Sequence, residues 1–180
     1  MTQHLLLLGC VVVAVTLLAV MKRAEWSARI SFSMHAAQSR GSYVIFALGL
    51  TGAVACFAAW FVGWFAPQFH PGWLFTSVFF TALALLLVAA WVRWEKGKKG
   101  EIHDFAAYRM AYLMPVLPAI LVFNPSLSLV ARTVAGGVVV AQLILLYLLF
   151  FVPATRRHFF RYQLMYIALT FGALFAATYV

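Results

Sequence analysis

Acidic residues are nearly missing from this sequence: Glu25, Glu95, Glu101 and Asp104 are the four in a chain of 180. Charged residues of both signs reach 9%, where a soluble domain carries about a quarter. Beside 66% hydrophobic residues, that scarcity excludes a water-soluble fold, which could not hide so much apolar surface. No acid stands inside an apolar run, which argues against proton coupling through a midplane carboxylate. Cysteine is equally scarce. Cys10 and Cys56 each fall inside an apolar run and read as small buried residues, so there is no disulfide framework. No two histidines have the helical spacing of a metal-ligand motif, and no repeat of fixed period is present. The glycines of the Lys96–Gly100 loop lack the spacing of a phosphate-binding turn and read as a solvated turn.

What is present is six long apolar runs: Leu5 to Met21, Tyr43 to Ala66, Gly72 to Trp94, Phe105 to Phe123, Thr133 to Val152 and Leu164 to Val180. They are long enough to cross a hydrocarbon core of about 30 Å as helices, whereas barrel strands would alternate over about ten residues. The expected fold is all-α, a polytopic membrane protein built as a single six-transmembrane-helix bundle over residues 1–180. Such short connections leave no room for a separate soluble catalytic domain.

The net charge of +9 comes from thirteen Lys and Arg, and placement rather than number interprets it. Lys22, Arg23, Arg29 and Arg40 occupy the first connection; Arg93, Lys96, Lys98, Lys99 and Arg109 flank the third; Arg156, Arg157 and Arg161 occupy the fifth. The second connection has none and the fourth only Arg132. Basic residues beside apolar runs orient helices and meet anionic headgroups, so nucleic acid is not an expected partner. The positive-inside tendency makes the basic side cytoplasmic and puts both termini on the other side, an arrangement suited to a bacterial inner membrane.

The first run has no basic leader and is followed by Lys22 and Arg23, the pattern of an uncleaved anchor. Leu7-Leu8-Gly9-Cys10 resembles a lipoprotein box, but only a few apolar residues precede it. Trp26, Ile30 and Met34 recur every four residues, which predicts either a short amphipathic helix on the inner leaflet or an extension of the second span. Ala55, Ala59 and Gly63, and likewise Ala168, Gly172 and Ala176, form small-residue faces on the second and sixth spans. They are expected to pack helices within the chain or between copies.

Candidate functional residues gather where the third connection meets the fourth span. Asp104, at the expected helix start, suits the positive end of the helix dipole and would accept backbone N–H groups as a cap. Tyr108 lies one turn further on the same face. Arg109 sits deep enough to need Asp104, Glu101 or a lipid phosphate as partner. Tyr108 and Arg109 are therefore read either as a capped helix end with a snorkelling arginine or as a headgroup or substrate site. His35, His103 and His158 belong to the three basic connections. Together with Asp104 they would make a zinc site that activates water, with His103 and Asp104 as catalytic candidates; ordinary interfacial histidines are the alternative. Gln142 is the amide well inside a span and reads as a helix-packing contact or a ligand contact. Pro115 and Pro118 free the carbonyls of Ala111 and Met114, predicting a kink and a cavity. With no histidine near the centre of a span, a bilayer-core haem is disfavoured, whereas bound lipid or quinone fits.

Gly100-Glu101-Ile102-His103-Asp104-Phe105-Ala106-Ala107, followed by Met114-Pro115, resembles a pattern in small six-helix bacterial membrane proteins related to the DRAM (damage-regulated autophagy modulator) family. The resemblance covers about twenty residues, helix number and length. It implies a six-helix bundle, draws attention to His103 and Asp104, and carries no activity. The leading functional expectation is a non-catalytic membrane protein that binds lipid or an apolar ligand, or serves as an accessory subunit among other membrane-protein subunits. The alternative is a metal-dependent enzyme acting on lipid at the cytoplasmic face. A small transporter using Gln142 and the kinked helix is third.

Overall fold

A computed structural model describes residues 2–180. The helices are α1 (Leu5–Met21), α2 (Phe32–Ala37), α3 (Arg40–Trp60), α4 (Ala66–Phe69), α5 (Gly72–Trp91), α6 (Lys98–Leu113), α7 (Val116–Val122), α8 (Leu129–Phe151) and α9 (Phe159–Tyr179). A π-type turn, Phe61–Phe65, joins α3 to α4, and α6 runs into α7 across Met114 and Pro115. Among the described residues, six continuous helical stretches are long and apolar enough to cross a membrane: Thr2–Met21, Arg40–Phe69, Gly72–Trp91, Lys98–Val122, Leu129–Phe151 and Phe159–Tyr179. The protein is an all-α polytopic bundle.

α1 begins and ends where the apolar run does, with the turn Thr2–His4 ahead of it. The fourth span begins seven residues before the expected Phe105, because the apolar run stops at charged residues while the helix does not. Lys, Glu and similar straight-chain residues hold helical backbone well outside an apolar environment.

Pro67 and Pro115, two of the prolines inside the spans, each leave a carbonyl without its helical donor, and in these two cases a hydroxyl from another helix fills the gap. Pro67 cannot donate to the Gly63 carbonyl, and the Thr2 hydroxyl donates there at 3.3 Å. Pro115 cannot donate to the Ala111 carbonyl, which receives the Tyr166 hydroxyl of α9. The expected interruption of the fourth span is therefore present at Pro115, with the Ala111 carbonyl satisfied across helices, while at Pro118 the helix α7 continues without a break.

Each spanning helix packs on its chain neighbours, and the ring closes only loosely where α1 meets α9. There an apolar groove of about 720 Å³ runs between them, lined by Cys10, Val13, Leu17, Leu164, Ala168 and Phe171 among others. The closest approach is α1 on α3. A Cβ on Gly49 would lie 2.0 Å from Thr16 Oγ1, and one on Gly9 2.5 Å from the Phe57 ring. The small-residue faces, expected to pack helices within the chain or between copies, lie elsewhere. Ala55, Ala59, Gly63, Ala168 and Gly172 are exposed, and of the two stripes only Ala176 is buried. Four-residue spacing defines a face but not its direction, and here Phe57, Trp60 and Phe61 take the inward one. At one end, Trp60, Phe61, Phe65, Phe75 and Phe79 stack into an aromatic core.

Both chain ends lie together: Gln3 Nε2 donates to the Thr178 carbonyl at 3.1 Å and the Tyr179 hydroxyl to the Gln3 carbonyl at 3.1 Å. The basic connections occupy the other end. There the first connection meets each expectation in part: α3 begins at Arg40, three residues before the expected Tyr43, and a short helix forms, but it starts beyond Trp26 and Ile30. Residues 24–31 are not helical, and the short helix is α2, capped by Ser31, which accepts the Met34 N–H. Its Phe32, His35 and Ala36 point inward, because Phe32 and His35 pack on Phe160 of α9. Arg93, from the end of α5, donates to the Ala37 carbonyl and fastens α2 from the other side.

Candidate functional site

At the basic end a cavity of about 400 Å³ lies between α6, α8, α9 and the segment 29–34 of the first connection. Its lining runs from His103 on α6 to Met114 just beyond it, about 16 Å at 1.5 Å per residue, a length about half the thickness of a 30 Å core. Polar groups come from the first connection and from the connection-side parts of α6 and α9: Arg29, Ser31, Ser33, His103, Asp104 and Gln163. Deeper walls are apolar, including Ala107, Met110, Met114, Leu146, Phe150 and Ile167. Tyr166 and Thr170 also line it, joined to a buried chain of hydrogen bonds. Gln142 Nε2 donates to Thr170 Oγ1 at 2.8 Å, and that hydroxyl donates to the Tyr166 carbonyl at 3.1 Å.

His103, only 2% exposed, is fixed by a 2.8 Å bond from Nδ1 to the Val92 carbonyl. Since a carbonyl can only accept, Nδ1 carries the proton, and in the neutral ring Nε2 is left as an acceptor. Asp104 also lines the cavity, half-buried. It is not the expected cap, because α6 starts at Lys98 and Gly97 occupies the N-cap position, so Asp104 stands in the second turn, past the unpaired amides. Tyr108 lines the cavity beside Phe150, their ring centroids 5.5 Å apart. Arg109 is exposed on another face, its guanidinium 5.3 Å above the Phe105 ring. Neither Asp104 nor Glu101 pairs with it; the ion pair among the described residues is Lys99 to Glu95, at 2.8 Å. Gln142 is fully buried at the α8–α9 contact, and its Oε1 has no partner among the described residues.

The three histidines do not converge on a metal site. Among the described residues no three His, Cys, Asp or Glu side chains come together in a metal-holding group. His35 has both ring nitrogens engaged: Nδ1 donates to the Ser31 carbonyl at 2.8 Å and Nε2 accepts the Ser27 N–H at 3.1 Å. It holds the first connection in shape. His158 is half-buried just before α9 and does not line the cavity. Sharing one end of a bundle is therefore not sharing a site.

Arg29, Gln163, Tyr166 and Thr170 carry no pattern in the sequence that marks them as cavity residues. The freed Ala111 carbonyl was the one available signal, since it required a donor, but nothing in the linear chain placed Tyr166 opposite it. Outside the spans, the hydrogen bond from Lys99 holds the Glu95 carboxyl below the usual carboxylate range.

No protein-family model, curated protein or solved structure matches the chain.

Proposed function

We propose that this is a non-catalytic integral membrane protein that binds a membrane amphiphile in the cavity between α6, α8 and α9. The observation that carries the reading is the cavity's build, with polar side chains at the basic end and an apolar shaft of ligand-sized volume behind them. A molecule with a polar head and a hydrocarbon tail matches both parts at once. The charge asymmetry supports an orientation with this end in the cytoplasm and the termini outside, in a bacterial inner membrane. The occupant would then come from the inner leaflet.

Lipid extraction and native mass spectrometry of the purified protein test the reading. Retained amphiphile is expected in near-equimolar amount, and Ala107→Trp, which fills the shaft, should abolish it while leaving helix content unchanged. Protein that retains nothing, or an Ala107→Trp variant that retains as much as the parent, would overturn the proposal. A second reading, an accessory subunit of a membrane complex, draws on Ala55 and Ala59, which face outward where a partner helix would pack closely. Crosslinking from Ala59 in native membranes tests it. Adducts with one defined protein would support it, and adducts with lipid alone would not.

A further inference from the structure

We infer that the cavity selects a phospholipid whose headgroup pairs a primary ammonium with a phosphate, the ethanolamine class; this rests on the amphiphile-binding reading above. The two polar walls make different demands. On α6, His103 and Asp104 are consecutive residues that both line the cavity. His103 is 2% exposed and its Nδ1 is committed to the Val92 carbonyl, so Nε2 offers a lone pair that no described residue fills. Asp104 makes no ion pair among the described residues, and its carboxylate only accepts. Two acceptors lining one cavity, one negatively charged, call for a cation with at least two N–H bonds.

Donors occupy the other wall. Gln163 Oε1 accepts the Phe32 N–H at 3.1 Å, which fixes the amide and leaves its Nε2 protons for a ligand. Arg29, from the first connection, adds a guanidinium suited to phosphate oxygens. Behind both walls, Ala107, Met110 and Leu146 provide for hydrocarbon. A volume of about 400 Å³ takes a headgroup and part of one chain, so the rest of the lipid lies in the bilayer.

Near relatives of this headgroup each miss one demand. Choline carries the charge but no N–H, leaving His103 Nε2 without a donor. Glycerol has hydroxyl donors but no charge for Asp104. A generic basic membrane face would instead favour the anionic glycerol lipid, so the two expectations separate cleanly.

The test is competition at the full-length protein in detergent. Phosphatidylethanolamine, its N-monomethyl and N,N-dimethyl derivatives, phosphatidylcholine and phosphatidylglycerol of identical chains are offered in equal amounts, and retained lipid is read by native mass spectrometry. Ethanolamine lipid should exceed choline and glycerol lipid by about tenfold, the ratio of one good charge-assisted hydrogen bond, and retention should fall stepwise with each added methyl. Asp104→Asn should bring the preference to within about twofold. Arg29→Gln should lower all the lipids together. His103→Gln, which keeps an amide in place of the ring, guards against a folding defect in any single variant. Equal retention of all five lipids, or a preference unchanged in Asp104→Asn, would overturn the inference and leave amphiphile binding standing. Retention of no lipid at all would overturn both.

Discussion

Replacing Tyr166 by Phe removes one oxygen, and the structure says where the loss is felt. That hydroxyl is the donor to the Ala111 carbonyl, which Pro115 deprives of its helical amide. The substitution therefore leaves a carbonyl with no donor beside an apolar cavity. An orphaned buried acceptor costs about 1–3 kcal/mol in soluble proteins, while hydrogen bonds between membrane helices average about 0.6 and reach about 1.7 kcal/mol. The bilayer figure governs here, because the reference state is also in lipid, and a loss of about 1 kcal/mol is expected. Pro115→Ala supplies the missing N–H four residues along from Ala111, so in that background Tyr166→Phe should cost less than half as much. The assay is reversible unfolding in mixed micelles titrated with SDS, followed by circular dichroism, for parent, both single variants and the double. A coupling of about 0.5–1 kcal/mol is expected, well above the additivity error of about 0.3 kcal/mol. Equal losses in the two backgrounds would refute the claim that Tyr166 acts by answering Pro115.

Gly49→Ala should destabilise by about 1–3 kcal/mol in the same assay, because its Cβ would sit 2.0 Å from Thr16 Oγ1 and force α1 from α3. Gly137→Ala, on an open face of α8 with nothing within 4 Å of the added methyl, should be neutral or stabilise by up to about 1 kcal/mol. Gln142→Leu should change stability by less than about 1 kcal/mol, since losing the bond to Thr170 is offset by removing the unpaired Oε1, and a larger loss would show that Oε1 has a partner in the membrane. The folded-state Glu95 carboxyl lies below its unfolded value, so its small contribution is present at neutral pH and is lost as pH falls through the folded value. In an NMR titration, Lys99→Met should return Glu95 upward to the ordinary range.

The spans were readable because apolar length is a property of the chain alone. α1 occupies the residues its hydrophobicity marks, and the fourth span is interrupted at Pro115. The start of α6 was not readable, since charge ends an apolar run without ending a helix. His103, Asp104 and Tyr108 were recognised from their local pattern and do line one cavity. Arg109, one residue further, points away, a rotation of about 100° that sequence spacing expresses only when the direction of the core is known. The opposite wall is supplied by Arg29 and Gln163, far apart in sequence, and is set by the packing of Phe32 on Phe160. The same ignorance of direction turned the Ala55 stripe outward and the histidine trio into three separate residues.

The central claim is that an amphiphile occupies the cavity rather than coating the bundle, and photolabelling tests it most directly. A phospholipid carrying a diazirine near the middle of one acyl chain is exchanged into the protein, activated, and mapped by peptide mass spectrometry. Adducts are predicted on Ala107–Met114 of the α6 segment and on Ile167 and Thr170 of α9, and their loss is predicted in Ala107→Trp. Adducts confined to outward residues such as Val11, Val15 and Leu143, unchanged by Ala107→Trp, would contradict it.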